Sequence, residues 1–428
     1  MMQFIVLLVV ISLMLVEKAF FYSIESVYSK SFIGNFELIV FVSLFIIGII
    51  AFVKDYYHTK NKIKTSNDKK NFLSVFLGLL SVFIVLLSFS LNINKKSIHW
   101  DAVALYDARA KFLEGGVKFS EMPNLSQYDN LNKYYYLLYP PYTSIAHFFW
   151  NTSVLSNNFP VGTYYSIILV LLLLVIYSSL IPHSGKTILS ILVFLTVSNS
   201  SIFNIVIKEY TNLPFNLYLL AGIFTLFSFL KTENYWKLFF GVLLVSSSVW
   251  VRLLEPIWLI VSLSFMVAMI SKKNVIKKTW PGMLILFVSL LGYLSWSYFT
   301  KVIAGNPSFL SFSYLTLIDP IVALFTGAPF VVLLTMAKSW GIPFFIHLCT
   351  LLALVFRFKE IINDKALLFL GLVLLSSLAL YFVQFYMLSF QGDWWSIVTQ
   401  SLDRSGSFLI PISAYILLTL FSTKYFSK

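Results

Sequence analysis

The sequence predicts an all-α integral membrane protein: a polytopic bundle of about 11–13 transmembrane helices, with amphipathic helices in its first large outer loop. Three observations carry this. Hydrophobic residues fill 59% of the 428 positions and charged residues only 11%, against about 25% charged in a soluble domain. A soluble fold needs a polar outside, which a chain of mean hydropathy +0.84 cannot provide. Runs near twenty apolar residues recur along the chain, the length a helix needs to cross about 30 Å of hydrocarbon. Lysine and arginine gather in a few short loops, as the positive-inside rule requires of a multi-pass protein.

Runs and breakers place spans at 2–21, 36–53, 72–92, 163–181, 187–206, 213–230, 236–251, 254–270, 281–300, 321–337, 340–357 and 366–388, with 407–422 as a further candidate. The first run, Phe4 to Val16, is short enough for a signal-peptide core. No positive charge precedes it and no small-x-small cleavage site follows, so a retained helix is expected, with Glu17–Lys18 near its outer end. The stretch 302–345 contains Asp319, Pro320, Gly327, Pro329 and Lys338 and is expected to hold one true span plus a partly embedded segment.

Counting 302–345 as one span sends the basic groups to one side. These are Lys54 to Lys70, Lys272 to Lys278, Arg357 to Lys365, and Lys424 with Lys428. That side is the cytoplasm. The +13 net charge is thereby explained without a nucleic-acid partner. Most acids fall on the other face: Asp101, Asp107, Glu114, Glu121, Asp129, Glu209, Glu255, Asp319, Asp393 and Asp403. Acids contribute little to orientation, so these are candidates for function. Three regions follow, forming one unit: N-terminal helices over 1–92, a large outer loop over 93–162, and the remaining bundle over 163–428.

Metal and redox chemistry find little footing. Cys349 is the single cysteine, so no intrachain disulfide can form, and the five histidines lie far apart. No His or Cys pair has metal-ligand spacing, and no cofactor is required, although carboxylates alone could hold a hard divalent cation.

The outer loop begins with a helix, from Asp101 as N-cap or first-turn residue to a stop at Gly115–Gly116. At 100° per residue Asp101 shares a face with Leu105, Ala108 and Phe112, while Asp107 and Lys111 form an i,i+4 pair on the wet side. Such a helix lies along the bilayer surface. The loop ends in Tyr134–Tyr136 and Tyr139-Pro140-Pro141-Tyr142, where Pro141 suits the first turn of a helix over 142–155.

The Trp100-Asp101-Ala102 helix after an early span, its alanine-rich turn, the Gly115–Gly116 pair and the later Tyr139-Pro140-Pro141 segment together resemble the GT-C superfamily of glycosyltransferases. The resemblance is to its polyprenyl- or dolichyl-phosphate-sugar-dependent branch, the protein mannosyltransferase-like and aminoarabinose transferase-like enzymes. The motifs lie in 99–116 and 134–147, and the hydropathy plan extends the likeness over most of the chain. Two positions depart: Ala102 stands where many relatives have a second acid, and Tyr139 where many have a basic residue.

The resemblance implies an inverting, in-line transfer in which Asp101 is the base; the ordinary alternative is a plain N-cap worth about 1 kcal/mol. It implies that Glu209, in Lys208-Glu209-Tyr210-Thr211-Asn212, is a second acid that contacts the acceptor or a cation; the alternative is a solvated loop charge paired with Lys208. Arg252, Arg404 and Lys208 are candidates for the donor phosphate, because guanidinium binds phosphate through paired hydrogen bonds. The alternatives are an Arg252–Glu255 ion pair and a snorkelling Arg404. Trp394, Trp395 and Tyr139 are candidates for sugar stacking, or else interfacial anchors.

The expected donor is a single sugar on a polyprenyl phosphate at the outer leaflet. The acceptor is an extracytoplasmic glycan, lipid or protein hydroxyl, and the composition suits a bacterial inner membrane. Rival readings are an envelope glycan polymerase or ligase, which carries its large loop late in the chain, and a lipid-linked-sugar flippase or transporter, with ionisable groups at the midplane.

Overall fold

The computed structural model describes residues 2–25, 46, 50, 72–94, 99, 101–118, 122, 140–252, 256–270, 275–298, 323–325, 327–390 and 402–425. Among them every regular element is a helix. The order is α1 (Met2–Glu25), α2 (Phe72–Asn94), a π-helical segment (Asp101–Asp107) running into α3 (Ala108–Glu114), α4 (Tyr142–Thr152), α5 (Gly162–Leu180), α6 (Lys186–Val197), α7 (Ser200–Ile207), α8 (Asn212–Thr232) and α9 (Tyr235–Val251). Then come α10 (Ile257–Ile270), α11 (Val275–Tyr298), α12 (Ala328–Trp340), α13 (Ile342–Phe356), α14 (Phe358–Asn363), α15 (Lys365–Leu388) and α16 (Leu409–Tyr425).

The helices are patterned for an apolar solvent. On α2, Phe72, Leu79, Phe83 and Leu86 are each more than half exposed, whereas its buried residues are Ser81, Ser88 and Asn92. The Asn92 amide donates to the Gly162 carbonyl and to Ser166 Oγ, both at 2.9 Å. α13 repeats the inversion: Ile342, Val355 and Phe356 face out, while His347 and Thr350 bond to Ser413. Polar groups act as glue between helices and apolar groups face outwards, as a bilayer demands. Among the described residues four helices, α2, α5, α8 and α15, are long and apolar enough to cross a membrane, or six elements if two bent pairs each count once.

Those bent pairs refine the expected spans. The run 187–206 is two helices, α6 and α7, meeting at 55°. Asn199 breaks it by turning its side chain onto the Ser201 N–H, a local bond that competes with the helical ladder. The expected spans 321–337 and 340–357 meet as α12 and α13 at 117°, at Gly341, whose φ of 58° suits glycine. At 13 and 15 residues, neither half reaches about 30 Å at 1.5 Å per residue. Of the expected span 36–53 only Ile46 and Ile50 are described, both helical and exposed.

α8 is the axis of the bundle, buried along nearly its whole length. It meets α9 at backbone distance, because a methyl on Gly222 would stand 2.8 Å from the Val245 nitrogen. The expected first helix packs Phe4, Leu7, Val10 and Met14 into the core at helical spacing. The two ends of the bundle differ. At one, Lys231 pairs with Asp364 at 2.5 Å and Ser184 bonds to Tyr415. At the other, the 99–118 segment and α4 meet the turns at 208–211, 252 and 402–408.

Candidate functional site

The site is built on the short turn between α7 and α8. Lys208 N–H donates to the Asn204 carbonyl, and Tyr210 N–H reaches back to Ile205. Closing the turn in so few residues puts Glu209 at φ 56°. A side chain in the left-handed region costs about 1–2 kcal/mol, so the surrounding packing must hold it there. Glu209 is 3% exposed. Its Oε1 lies 3.0 Å from where a β-carbon on Gly162 would stand, so the missing side chain there makes its berth. The reading of Glu209 as a solvated loop charge is therefore corrected: the turn is short enough to be drawn into the bundle.

Three neighbours converge on this turn. Thr211 Oγ1 hydrogen-bonds Thr143 Oγ1 of α4 at 2.7 Å and the Val251 carbonyl at 3.3 Å, joining two elements to the turn. Arg252, extended at the end of α9 and nearly buried, donates from Nη1 to Asn212 Oδ1 at 3.1 Å. The same Asn212 donates to the Arg404 carbonyl at 3.5 Å, and the Arg404 guanidinium lies 4.0 Å above the Tyr210 ring, a cation–π arrangement. Asn216 to Ser407 Oγ, and the Trp340 indole N–H to the Leu402 carbonyl, fasten the 402–408 segment to the bundle.

The outer helix reaches the same place. The His99 ring lies 6.3 Å from the Tyr210 ring, and Val103 N–H donates to the His99 carbonyl as the helix begins. Its first seven residues are π-helical. That wider turn advances each residue by less than 100°, which changes the expected face. The buried set is Ala102, Leu105, Tyr106, Arg109, Ala110 and Leu113, whereas Ala108 and Phe112 are only partly buried. Asp101 opens the helix as expected; its side chain lies outside the described residues. π-helical insertions frequently mark functional sites. Gly115 and Gly116 end the helix as expected, the latter at φ 76°.

Asp107 is corrected too. Its pair with Lys111 forms, at 3.4 Å, but its carboxylate is only 19% exposed and faces α4. Asn151 donates to it at 3.2 Å, and His147 Nδ1 lies 3.7 Å away. Burial opposes the charge; His147, Asn151 and Lys111 outweigh it and hold the carboxyl at about 2. His147 is fully buried, and its Nε2 meets the Tyr165 hydroxyl at 2.9 Å.

Of the residues singled out from sequence, Lys208, Glu209, Arg252 and Arg404 come together at one end of the bundle. Tyr139, Trp394, Trp395, Glu255 and Asp319 lie outside the described residues, and Lys338 is on the exposed face of α12. Asn212, Thr211, Thr143 and His147 went unnoticed. One signal was available: Glu209-Tyr210-Thr211-Asn212 is an unbroken polar run between two apolar ones. Nothing in the sequence marked the buried Arg109. Among the described residues no group of three His, Cys, Asp or Glu side chains is placed to hold a metal ion.

Comparison with family models, with curated proteins and with solved structures yields no match.

Proposed function

We propose that the chain is an inverting glycosyltransferase that moves a sugar from a polyprenyl phosphate to a hydroxyl acceptor, working at one end of a bundle of about 11–13 transmembrane helices. The observation that supports it best is the convergence on one turn. Glu209 is buried beside Gly162, Arg252 is fixed through Asn212, Arg404 lies on Tyr210, and the helix that opens with Asp101 arrives beside Tyr210. An acid and two guanidinium groups at one bundle end suit a reaction that removes a proton and expels a phosphate.

In this reading Asp101 takes the acceptor proton as the acceptor oxygen attacks the anomeric carbon. The bond from that carbon to the phosphate oxygen breaks, and polyprenyl phosphate leaves. Arg252, Arg404 and Lys208 meet its growing charge, and Glu209 orients the acceptor hydroxyl. Trp394, Trp395 and Tyr139 stack on the sugar. The site faces away from the cytoplasm, in a bacterial inner membrane, and no cofactor is required.

The test is transfer from a panel of labelled polyprenyl-phosphate sugars to envelope extracts by the purified chain. The expected outcome is one productive donor, with Asp101→Asn lowering kcat at least about 100-fold. Arg252→Lys should mainly weaken donor binding, because a lysine cannot form the paired hydrogen bonds. Full activity of Asp101→Asn ends the base assignment.

The two broken helix pairs favour a second reading, a lipid-linked-sugar flippase, since transporters build substrate sites on broken helices. No ionisable residue stands at either break, Ser198–Asn199 or Gly341. Movement of the donor across vesicles without transfer is the result that selects it.

A further inference from the structure

We propose that the groove between α1, α4 and α5 is a lipid site, occupied by a membrane lipid whose ammonium head group is held by Glu17. As bordered by the described residues the groove has a volume of about 650 Å³, within the usual range for ligand sites. It runs along α1 from Ile5 past Val9 and Leu13 to Glu17, with Phe149, Trp150 and Ile167 opposite. At 1.5 Å per residue that is about 18 Å, a little over half of the roughly 30 Å hydrocarbon thickness. It therefore matches a chain from one leaflet. Its walls are apolar, and Glu17 is the one charged residue among them.

Glu17 supplies the argument for the head group. It is 5% exposed, and its Oε2 has no hydrogen-bond partner among the described residues. Tyr142, Tyr164 and Tyr218 lie within its field, but their hydroxyls are engaged with one another, Tyr142 with Tyr164 at 2.9 Å and with Tyr218 at 3.3 Å. Tyr218 also donates to the Val10 carbonyl. Lys18 turns elsewhere, with its ammonium 4.6 Å above the Trp250 ring, and no basic residue is among the described residues that line the groove. A carboxyl buried without a partner is costly, and an ammonium arriving with a lipid relieves that cost. A lipid whose head group has no ammonium brings no cation to that carboxyl. The proposal concerns binding alone and does not depend on the transfer reaction.

The test uses the purified full chain, stripped of lipid in neutral detergent, with single lipids added back and retention measured by native mass spectrometry. Phosphatidylethanolamine should bind at least tenfold more tightly than phosphatidylglycerol or diacylglycerol, and Glu17→Gln should remove that preference. Val9→Trp, which fills the groove away from the head, should cut retention of phosphatidylethanolamine at least tenfold. Equal retention of phosphatidylglycerol or diacylglycerol overturns the ammonium assignment, as does an unchanged preference in Glu17→Gln. Unchanged retention in Val9→Trp overturns the groove, whether or not the Glu17 variant folds.

Discussion

Glu209 concentrates the physical tension of the molecule in one side chain: a left-handed backbone, a buried carboxylate and a berth made by the absence of a β-carbon at Gly162. Gly162→Ala tests whether that geometry matters. The added methyl would stand 3.0 Å from the carboxylate oxygen, so the carboxylate must give by a few tenths of an ångström, short of the 1 Å misplacement that costs about 100-fold in rate. Transfer in the proposed reaction should fall by less than that while the helical circular dichroism is unchanged; full activity would show that Glu209 need not sit there. Asp107 supports a prediction of stability. Its folded-state carboxyl, at about 2, lies below its ordinary 3.8, so the stabilisation is fully present above pH 4 and is lost as pH falls through about 2. The difference corresponds to about 2 kcal/mol. Thermal unfolding of wild type and Asp107→Asn should differ by that order at pH 7 and converge towards pH 2; a gap independent of pH would mean that the carboxylate is not what stabilises.

At the scale of elements, the sequence predicts helices better than it predicts their breaks. Apolar runs gave α2, α5, α8 and α15 nearly to their ends, because a span needs uninterrupted apolar residues whatever its neighbours are. The break at Asn199 and the reversal at Gly341 depend on single residues that many straight helices also contain. The π-helical start of the outer helix shifts which side chains face inwards, and a fixed 100° step cannot anticipate it. Two substitutions separate backbone from packing effects on α8. Glu233 caps its C-terminal end at φ 53° and is exposed. Glu233→Gly should therefore stabilise by about 1 kcal/mol, since glycine adopts that conformation without a β-carbon clash. Gly222→Ala should destabilise by about 1–3 kcal/mol, because its methyl meets the Val245 backbone 2.8 Å away. Chemical denaturation of both variants in one detergent gives the comparison, and a stabilised Gly222→Ala would refute the close α8–α9 approach.

For the whole molecule, the decisive feature is that its two ends carry different chemistry. The lysine-rich groups that set orientation in the sequence include Arg357 to Lys365, and α14 and the start of α15 place them at the end where Lys231 meets Asp364. The Glu209 turn, Arg252 and Arg404 are at the opposite end. Their clustering was partly legible because short turns between long spans confine residues to one level. Which of them touch was not legible, since Thr143, Asn212 and Ser407 connect elements far apart in sequence. The proposed orientation then follows from charge alone: the basic end faces the cytoplasm, so Lys111 beside the site lies outside and Lys359 inside. Cys349 is the single cysteine and is exposed on α13, so Cys349→Ala gives a clean background for Lys111→Cys and Lys359→Cys. A membrane-impermeant maleimide added to intact cells should label position 111 and leave 359 untouched until the membrane is opened. Labelling of 359 alone would place the Glu209 turn on the cytoplasmic side and remove the outer-leaflet donor from the proposed reaction.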